Sequence, residues 1–217
     1  MMPIRVTVGP LVTASANNIA LSQTPAGAGP ILLNGATVVN GVAVLDTARE
    51  ILLTTSADET AKTFTITGTN WAGDTISETI TGVSSGTVKS VLDYKTVTKI
   101  VASAATAGAI TFGTTTTAGS SWARLDSWAD SYISVQCDAS GTINYTLQQT
   151  LDDPNDPTNP VLPANVTWVN SSDASAVGAT GSIQTNYGFS PVWARVFLNS
   201  GTGSVQASFI QSGVVNR

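Results

Sequence analysis

Residues 63–81 form the stretch TFTITGTNWAGDTISETIT, which carries the strongest structural signal in the chain. Threonines alternate with Phe64 and Ile66 before the NWAGD segment, and polar residues alternate with Ile76 and Ile80 after it. Alternation with a period of two is typical of a strand with one buried face. Asn, Gly and Asp favour turns, so the stretch predicts a β-hairpin.

Similar alternation predicts strands along most of the chain, and no long segment has helical periodicity. An Asn-Gly pair at 40–41 predicts a tight hairpin turn, because these residues tolerate positive φ. A single helical turn is possible within 45–53. Two further hairpins are expected, one joining strands 131–137 and 142–149 and one joining strands 192–198 and 204–211. The remaining predicted strands are 4–8, 36–39, 42–45, 50–55, 87–91, 96–101, 109–113 and 167–169.

Turn-rich segments suggest how the chain is divided. Residues 1–30 contain four prolines and predict an extended N-terminal arm. The segment TTTTAGSS at 114–121 is small and polar, which favours a linker. We therefore predict an all-β protein, an antiparallel β-sandwich or jelly roll, with two small β-domains at 31–117 and 118–217.

The composition argues against several classes of function. The chain has no His, one Cys, 9 Lys and Arg against 14 Asp and Glu, and a net charge of −5. Catalysis near neutral pH usually needs a titratable group such as His, so we expect no enzyme and no cofactor. The acidic balance disfavours nucleic acid. No apolar run reaches the ~20 residues of a membrane helix, so no membrane partner is expected.

Cys137 lies in step with apolar residues of a predicted strand, and we expect a buried thiol. The acidic loop offers Asp152, Asp153 and Asp156 as weak candidates for a Ca²⁺ site, since hard cations take oxygen ligands. A solvated turn is favoured over the metal, because Pro presets φ there and Asp caps the backbone.

Glu78 shares the face of its predicted strand with two isoleucines, where an unpaired charge is costly if buried. An inward charge at a sheet edge, which blocks aggregation, is the favoured interpretation. Pairing with Lys62, Lys89, Arg49 or another subunit is the alternative.

The five tryptophans offer contact area. Trp168 and Trp193 are expected in the core, and Trp122 and Trp128 at an interface. Trp71 in its loop is a further interface candidate. It is also the best candidate for a sugar-binding platform.

Four stretches resemble segments of small virion proteins of tailed bacteriophages: 63–82, 93–100, 141–154 and 195–205. Together they cover under half of the chain, and all are β-hairpin patterns. The resemblance implies a structural protein of the phage particle. Small all-β proteins of that group often act as capsid cement or decoration, commonly as trimers, while others build the neck, tail or fibres. The resemblance brings no catalytic residues.

We therefore expect a homotrimeric protein that is made in the host cytoplasm and binds the capsid shell to stabilise it. Its partners would be the major capsid protein or other virion proteins, and its place the capsid surface of the virion. A neck, tail or fibre component is the first alternative. A carbohydrate-binding β-module that uses Trp71 is the second.

Overall fold

The computed structural model describes residues 3–125 and 132–211. These ranges form sixteen strands and two 3₁₀ turns, so the all-β prediction is confirmed. A membrane-crossing helix is not found in these ranges, where both helical turns are three residues long. The strands are β1 Ile4–Val8, β2 Ala20–Gln23, β3 Gly29–Pro30, β4 Val38–Val39, β5 Val42–Thr55, β6 Thr63–Thr69, β7 Thr75–Thr81, β8 Thr87–Ala102, β9 Ile110–Gly119, β10 Ala123–Arg124, β11 Ile133–Ser140, β12 Ile143–Thr150, β13 Val169–Asn170, β14 Ile183–Tyr187, β15 Trp193–Gly201 and β16 Ser204–Gln211.

The chain divides into two compact units. The central unit is Val12–Thr116, and the terminal unit combines Met1–Leu11 with Thr117–Arg217. The predicted N-terminal arm is shared between them, because β1 pairs with β16 of the terminal unit whereas β2 and β3 pair with strands of the central unit.

The terminal unit has two antiparallel sheets with one apolar core between them. The first sheet has the order β1-β16-β11-β14. The second has the order β13-β12-β15, with β10 and the last residues of β9 also paired to β15. Alternate side chains of both sheets point inward, as the period of two requires. The core includes Val6, Val8, Val135, Cys137, Tyr145, Leu147, Val196, Leu198, Val205 and Phe209.

The two hairpins predicted for the second half of the chain are wrong. β11 lies in the first sheet and β12 in the second, and β15 and β16 are likewise in different sheets. Each short turn carries the chain across the sandwich rather than to a neighbouring strand. Two alternating strands bury the same residues whether they share a sheet or face each other, so the local pattern does not distinguish the two cases.

The central unit is built on strands in the order β9-β5-β8-β6-β7. β4, β3 and β2 pair with β5, β8 and β9 respectively. Its core includes Phe64 and Phe112, whose rings meet edge to face with centroids 5.8 Å apart. The hairpin of β6 and β7 is confirmed, with a continuous register from Thr63 opposite Thr81 to Thr69 opposite Thr75.

The Asn-Gly turn is also confirmed, since Asn40 and Gly41 have φ values of 51° and 80° between β4 and β5. Three local predictions are wrong. The segments 87–91 and 96–101 belong to the single strand β8, and β5 runs through 45–53 without a helical turn. Most of the predicted linker at 114–121 lies in β9, although the boundary between the two units falls within it, between Thr116 and Thr117. Threonine is β-branched and favours strands, so a run of it is a poor linker signal.

Glycines allow the backbone to pass closely at the turns between the two sheets of the terminal unit. Gly201 has a φ of 114°, which favours glycine. A Cβ at Gly203 would collide with the carbonyl oxygen of Ser140. The amides of Thr202 and Gly203 both donate to the carbonyl oxygen of Thr142, at 3.0 and 2.9 Å. These two hydrogen bonds join the turn after β15 to the turn after β11.

We expect Gly203→Ala to lower the free energy of unfolding of the terminal unit by about 1–3 kcal/mol, because the added methyl overpacks a backbone contact. Urea denaturation followed by tryptophan fluorescence measures this change. Gly181→Ala is the matched control, since a Cβ there meets no atom within 4 Å. Equal unfolding midpoints for the two variants would contradict this account.

Candidate interface surfaces

The Trp71 loop is held rigidly by the residue that precedes the tryptophan. The buried Asn70 side chain accepts hydrogen bonds from the Ala72 and Asp74 amides at 2.9 and 3.0 Å. Its own amide group donates to the Asp74 carboxylate at 3.0 Å. Trp71 itself is half-buried. The loop presents part of an indole surface in a fixed position.

Glu78 lies on β7, the last strand in the order of the central sheet, which agrees with the edge position favoured by the sequence. Its carboxylate oxygens accept hydrogen bonds from the amide of Val91 at 2.8 and 3.1 Å and from that of Leu92 at 2.9 Å. Backbone amides of β8 therefore satisfy this charge, and no ion pair joins Glu78 to Lys62, Lys89 or Arg49. The side chain ties the edge strand to β8.

Hydroxyl groups bond across the hairpin of β6 and β7. The side chains of Thr65 and Thr79 are 2.9 Å apart, and those of Thr67 and Ser77 are 3.3 Å apart. Cross-strand pairs of this kind stabilise a sheet and restrict its side chains. The hairpin therefore presents a largely preordered polar surface.

Trp122 lies in an aromatic cluster of the terminal unit. Its ring meets Trp168 and Trp193 edge to face, at centroid distances of 5.0 and 6.1 Å. The Arg195 guanidinium stacks 4.4 Å from the Trp168 ring centroid, a favourable cation–π geometry. Trp122 and Trp168 are half-buried and Trp193 is buried, so the three rings pack together rather than forming an open row. Trp128 lies outside the described residues.

The three aspartates of the acidic loop accept hydrogen bonds from other groups of the protein. Asp152 accepts from the Thr167 amide at 2.7 Å. Asp153 pairs with Arg124 at 3.0 Å and accepts from the Trp193 indole at 3.1 Å. Asp156 accepts two backbone amides, which hold the pKa of its carboxyl below the ordinary value. No group of three or more metal-binding side chains is found within 3–125 and 132–211.

Cys137 is buried in the core of the terminal unit, as predicted. Burial raises the pKa of its thiol to about 11, with the Asp138 charge adding to the effect against a hydrogen bond from Tyr145. The thiolate is therefore scarce at neutral pH, and the side chain fills space.

Exposed aliphatic side chains of the central unit form what we call the hairpin patch: Val12, Leu32, Val39 and Val44. Their exposed fractions are 64%, 64%, 61% and 48%. Two concave surfaces border the turn between β4 and β5. Leu32 lines one of about 320 Å³, and the three valines line the other, of about 300 Å³. Isolated exposed aliphatic residues are ordinary, but three that line one concave surface make it a candidate interaction surface.

We call the second concave surface the Arg49 cavity. The sequence does not predict it. Arg49 and Asn18 lie on its wall together with the three valines. Arg49 stands in the largely polar segment 46–50 of β5, so the sequence gives no clear signal that it is buried. Asn18 stands in a turn-rich segment without any periodic pattern, and the sequence holds no signal for it either.

The comparisons with known proteins assign the chain to no family. No protein-family model matches the chain, and no curated protein matches it significantly.

We expect Glu78→Gln to destabilise the central unit by roughly 1.5–3 kcal/mol, because hydrogen bonds to a charged acceptor are lost. The NH2 group of the new side chain is itself a donor and cannot accept from the Val91 and Leu92 amides. Hydrogen exchange at the Val91 and Leu92 amides should become faster, as measured by NMR. Asp138→Asn removes a charge from an exposed residue of the terminal unit and is the control. Unchanged exchange at the two amides would refute the role given to Glu78.

Cys137 should react with an aromatic disulfide reagent at pH 8 only when the protein unfolds, because the buried thiol has a raised pKa and no solvent access. The absorbance of the released thiolate measures the reaction with and without denaturant. Rapid labelling of the native chain would show that the thiol is accessible.

Proposed function

We propose that this chain is a virion structural protein of a tailed bacteriophage that binds the capsid shell and stabilises it. In this role it acts as a cement or decoration protein, as a homotrimer, with the major capsid protein as its partner. The resemblance of four stretches to small phage virion proteins supports the virion as its place.

The observation that carries the proposal is the hairpin patch. Its four aliphatic side chains stand on or beside strands and turns of the central unit, with about half or more of each exposed. Burying apolar surface contributes about 25 cal/mol per Å², so such a patch supplies binding energy to a partner that covers it. A shell protein is a partner that would cover it permanently.

The preordered hydroxyl surface of β6 and β7 fits the same role. Side chains already held by hydrogen bonds, such as Thr65 with Thr79, lose little conformational freedom when a partner covers them. A decoration protein gains further from repetition, because several sites on one oligomer bind the same shell with high avidity. Symmetric homo-oligomers are the usual form of such proteins.

The test uses phage particles that are assembled without this chain. Purified protein should sediment with these shells and raise the temperature at which they release DNA. The double variant Leu32→Asp and Val39→Asp should abolish binding, because it places charge on the hairpin patch. Leu162→Asp with Val169→Asp is the matched control, since these terminal-unit residues are exposed to 66% and 57%.

Three outcomes of this experiment count against the proposal. Protein that fails to bind such shells would overturn it. Protein that localises to the neck, tail or fibres by electron microscopy would replace it with the alternative place in the virion. A native mass other than three times 22.2 kDa would remove the trimer.

A further inference from the structure

The central unit contains the pair Asn-Gly twice, at Asn34-Gly35 and at Asn40-Gly41. An asparagine that precedes glycine is prone to spontaneous deamidation. The main-chain nitrogen of the glycine attacks the carboxamide of the asparagine, and no side chain on the glycine obstructs the approach. Both asparagines are exposed, so access of water does not distinguish the two pairs. Their hydrogen bonds do distinguish them.

Hydrogen bonds hold both reacting groups of the first pair. The carboxamide oxygen of Asn34 accepts from the Leu21 amide at 2.9 Å, and the Gly35 amide donates to the carbonyl oxygen of Ile19 at 3.0 Å. Gly35 is also buried, and a Cβ on it would collide with the backbone of Asn18. The nitrogen of Gly35 therefore attacks the carboxamide only after these contacts have been broken.

The second pair has no such restraint. Asn40 and Gly41 form the turn between β4 and β5, and both are exposed. Within 3–125 and 132–211, neither the Asn40 carboxamide nor the Gly41 amide has a hydrogen-bond partner. A Cβ on Gly41 would meet no atom within 4 Å. Since β4 has only two residues, opening this end of the hairpin to let the two groups meet costs little.

We propose that Asn40 is a site of spontaneous deamidation and that Asn34 is not. A base in solution removes the proton of the Gly41 amide, and the nitrogen forms a bond to Asn40 Cγ. The carboxamide nitrogen takes up a proton and leaves as ammonia. Water then opens the resulting cyclic imide. Breaking the new bond to Cγ gives aspartate, and breaking the original main-chain bond gives isoaspartate. Water is consumed, ammonia is released, and no atom changes its oxidation state.

Either product changes the hairpin patch. Asn40 lies between Val39, which lines one of the two concave surfaces, and Gly41, which lines the other. The new carboxylate must lose water when a partner covers the patch, which is costly for a charge. Isoaspartate also lengthens the main chain of a turn whose geometry depends on its length. We therefore expect deamidation to weaken shell binding, an effect that rests on the function proposed above.

The experiment incubates the full chain in mildly alkaline buffer, with and without denaturant, and follows both asparagines by tandem mass spectrometry. In the native chain, Asn40 should react at least about tenfold faster than Asn34, because the Asn34 pair must first lose two hydrogen bonds. In denaturant the two rates should become similar. Asn40→Gln is the control, since the longer side chain closes an imide ring more slowly. It should stop the reaction at this position and leave the rate at Asn34 unchanged.

A second pair of variants measures the effect on binding. Asn40→Asp reproduces the charge of the product, and Asn186→Asp adds the same charge at an exposed position of the terminal unit. We expect Asn40→Asp to bind shells at least about tenfold more weakly than Asn186→Asp.

Equal native rates at Asn34 and Asn40, or an Asn40 that reacts only in denaturant, would overturn the proposal. Equal shell binding by Asn40→Asp and Asn186→Asp would overturn the effect on the hairpin patch. Faster deamidation at Asn40 in a chain that binds no shell would support the modification site and remove the assembly function. Shell binding by a chain whose Asn40 does not react would remove the modification site alone.

Discussion

The close backbone contact at two glycine turns is the constraint on which the terminal unit depends. At Gly141 and at Gly201–Gly203 the chain leaves one sheet and enters the other, and the amides of Thr202 and Gly203 donate to Thr142 of the opposite turn. A side chain at these points would separate the turns. The contact sets which strands face each other, and so it determines which side chains fill the core between the two sheets.

In the central unit, charged side chains that are buried or half-buried join segments of the chain by hydrogen bonds to the backbone. Glu78 binds two amides of β8, and Arg49 binds carbonyl oxygens of Val12 and Thr115. Glu59 follows the same rule. Burial raises the pKa of its carboxyl, but hydrogen bonds from Lys62 and the Gly108 amide outweigh burial and lower it overall. Glu59 therefore stabilises the fold at neutral pH, and this contribution is lost as the pH falls through its lowered pKa.

The surface of the central unit combines preordered hydroxyl groups with exposed aliphatic side chains. The hydroxyl pairs of Thr65 with Thr79 and of Thr67 with Ser77 are already formed, whereas the aliphatic residues around the β4–β5 turn are exposed. Preorganised sites of this kind lose little entropy on binding. The sequence predicts Trp71 and Trp122 as interface residues. Trp71 lies in a loop held by hydrogen bonds of Asn70, and Trp122 lies in a packed aromatic cluster. The aliphatic surface is therefore the stronger candidate for assembly.

Local pattern was enough to predict the strands of the β6–β7 hairpin, the Asn-Gly turn and the buried thiol of Cys137, because periodicity and turn chemistry act over a few residues. It could not show that β11 and β12, or β15 and β16, lie in different sheets, since both arrangements bury the same alternate residues. Nor could it bring Asn18 to Arg49, which are 31 positions apart in the chain. Sheet membership and cavity walls depend on contacts between distant segments, and the strand pattern carries no information about them.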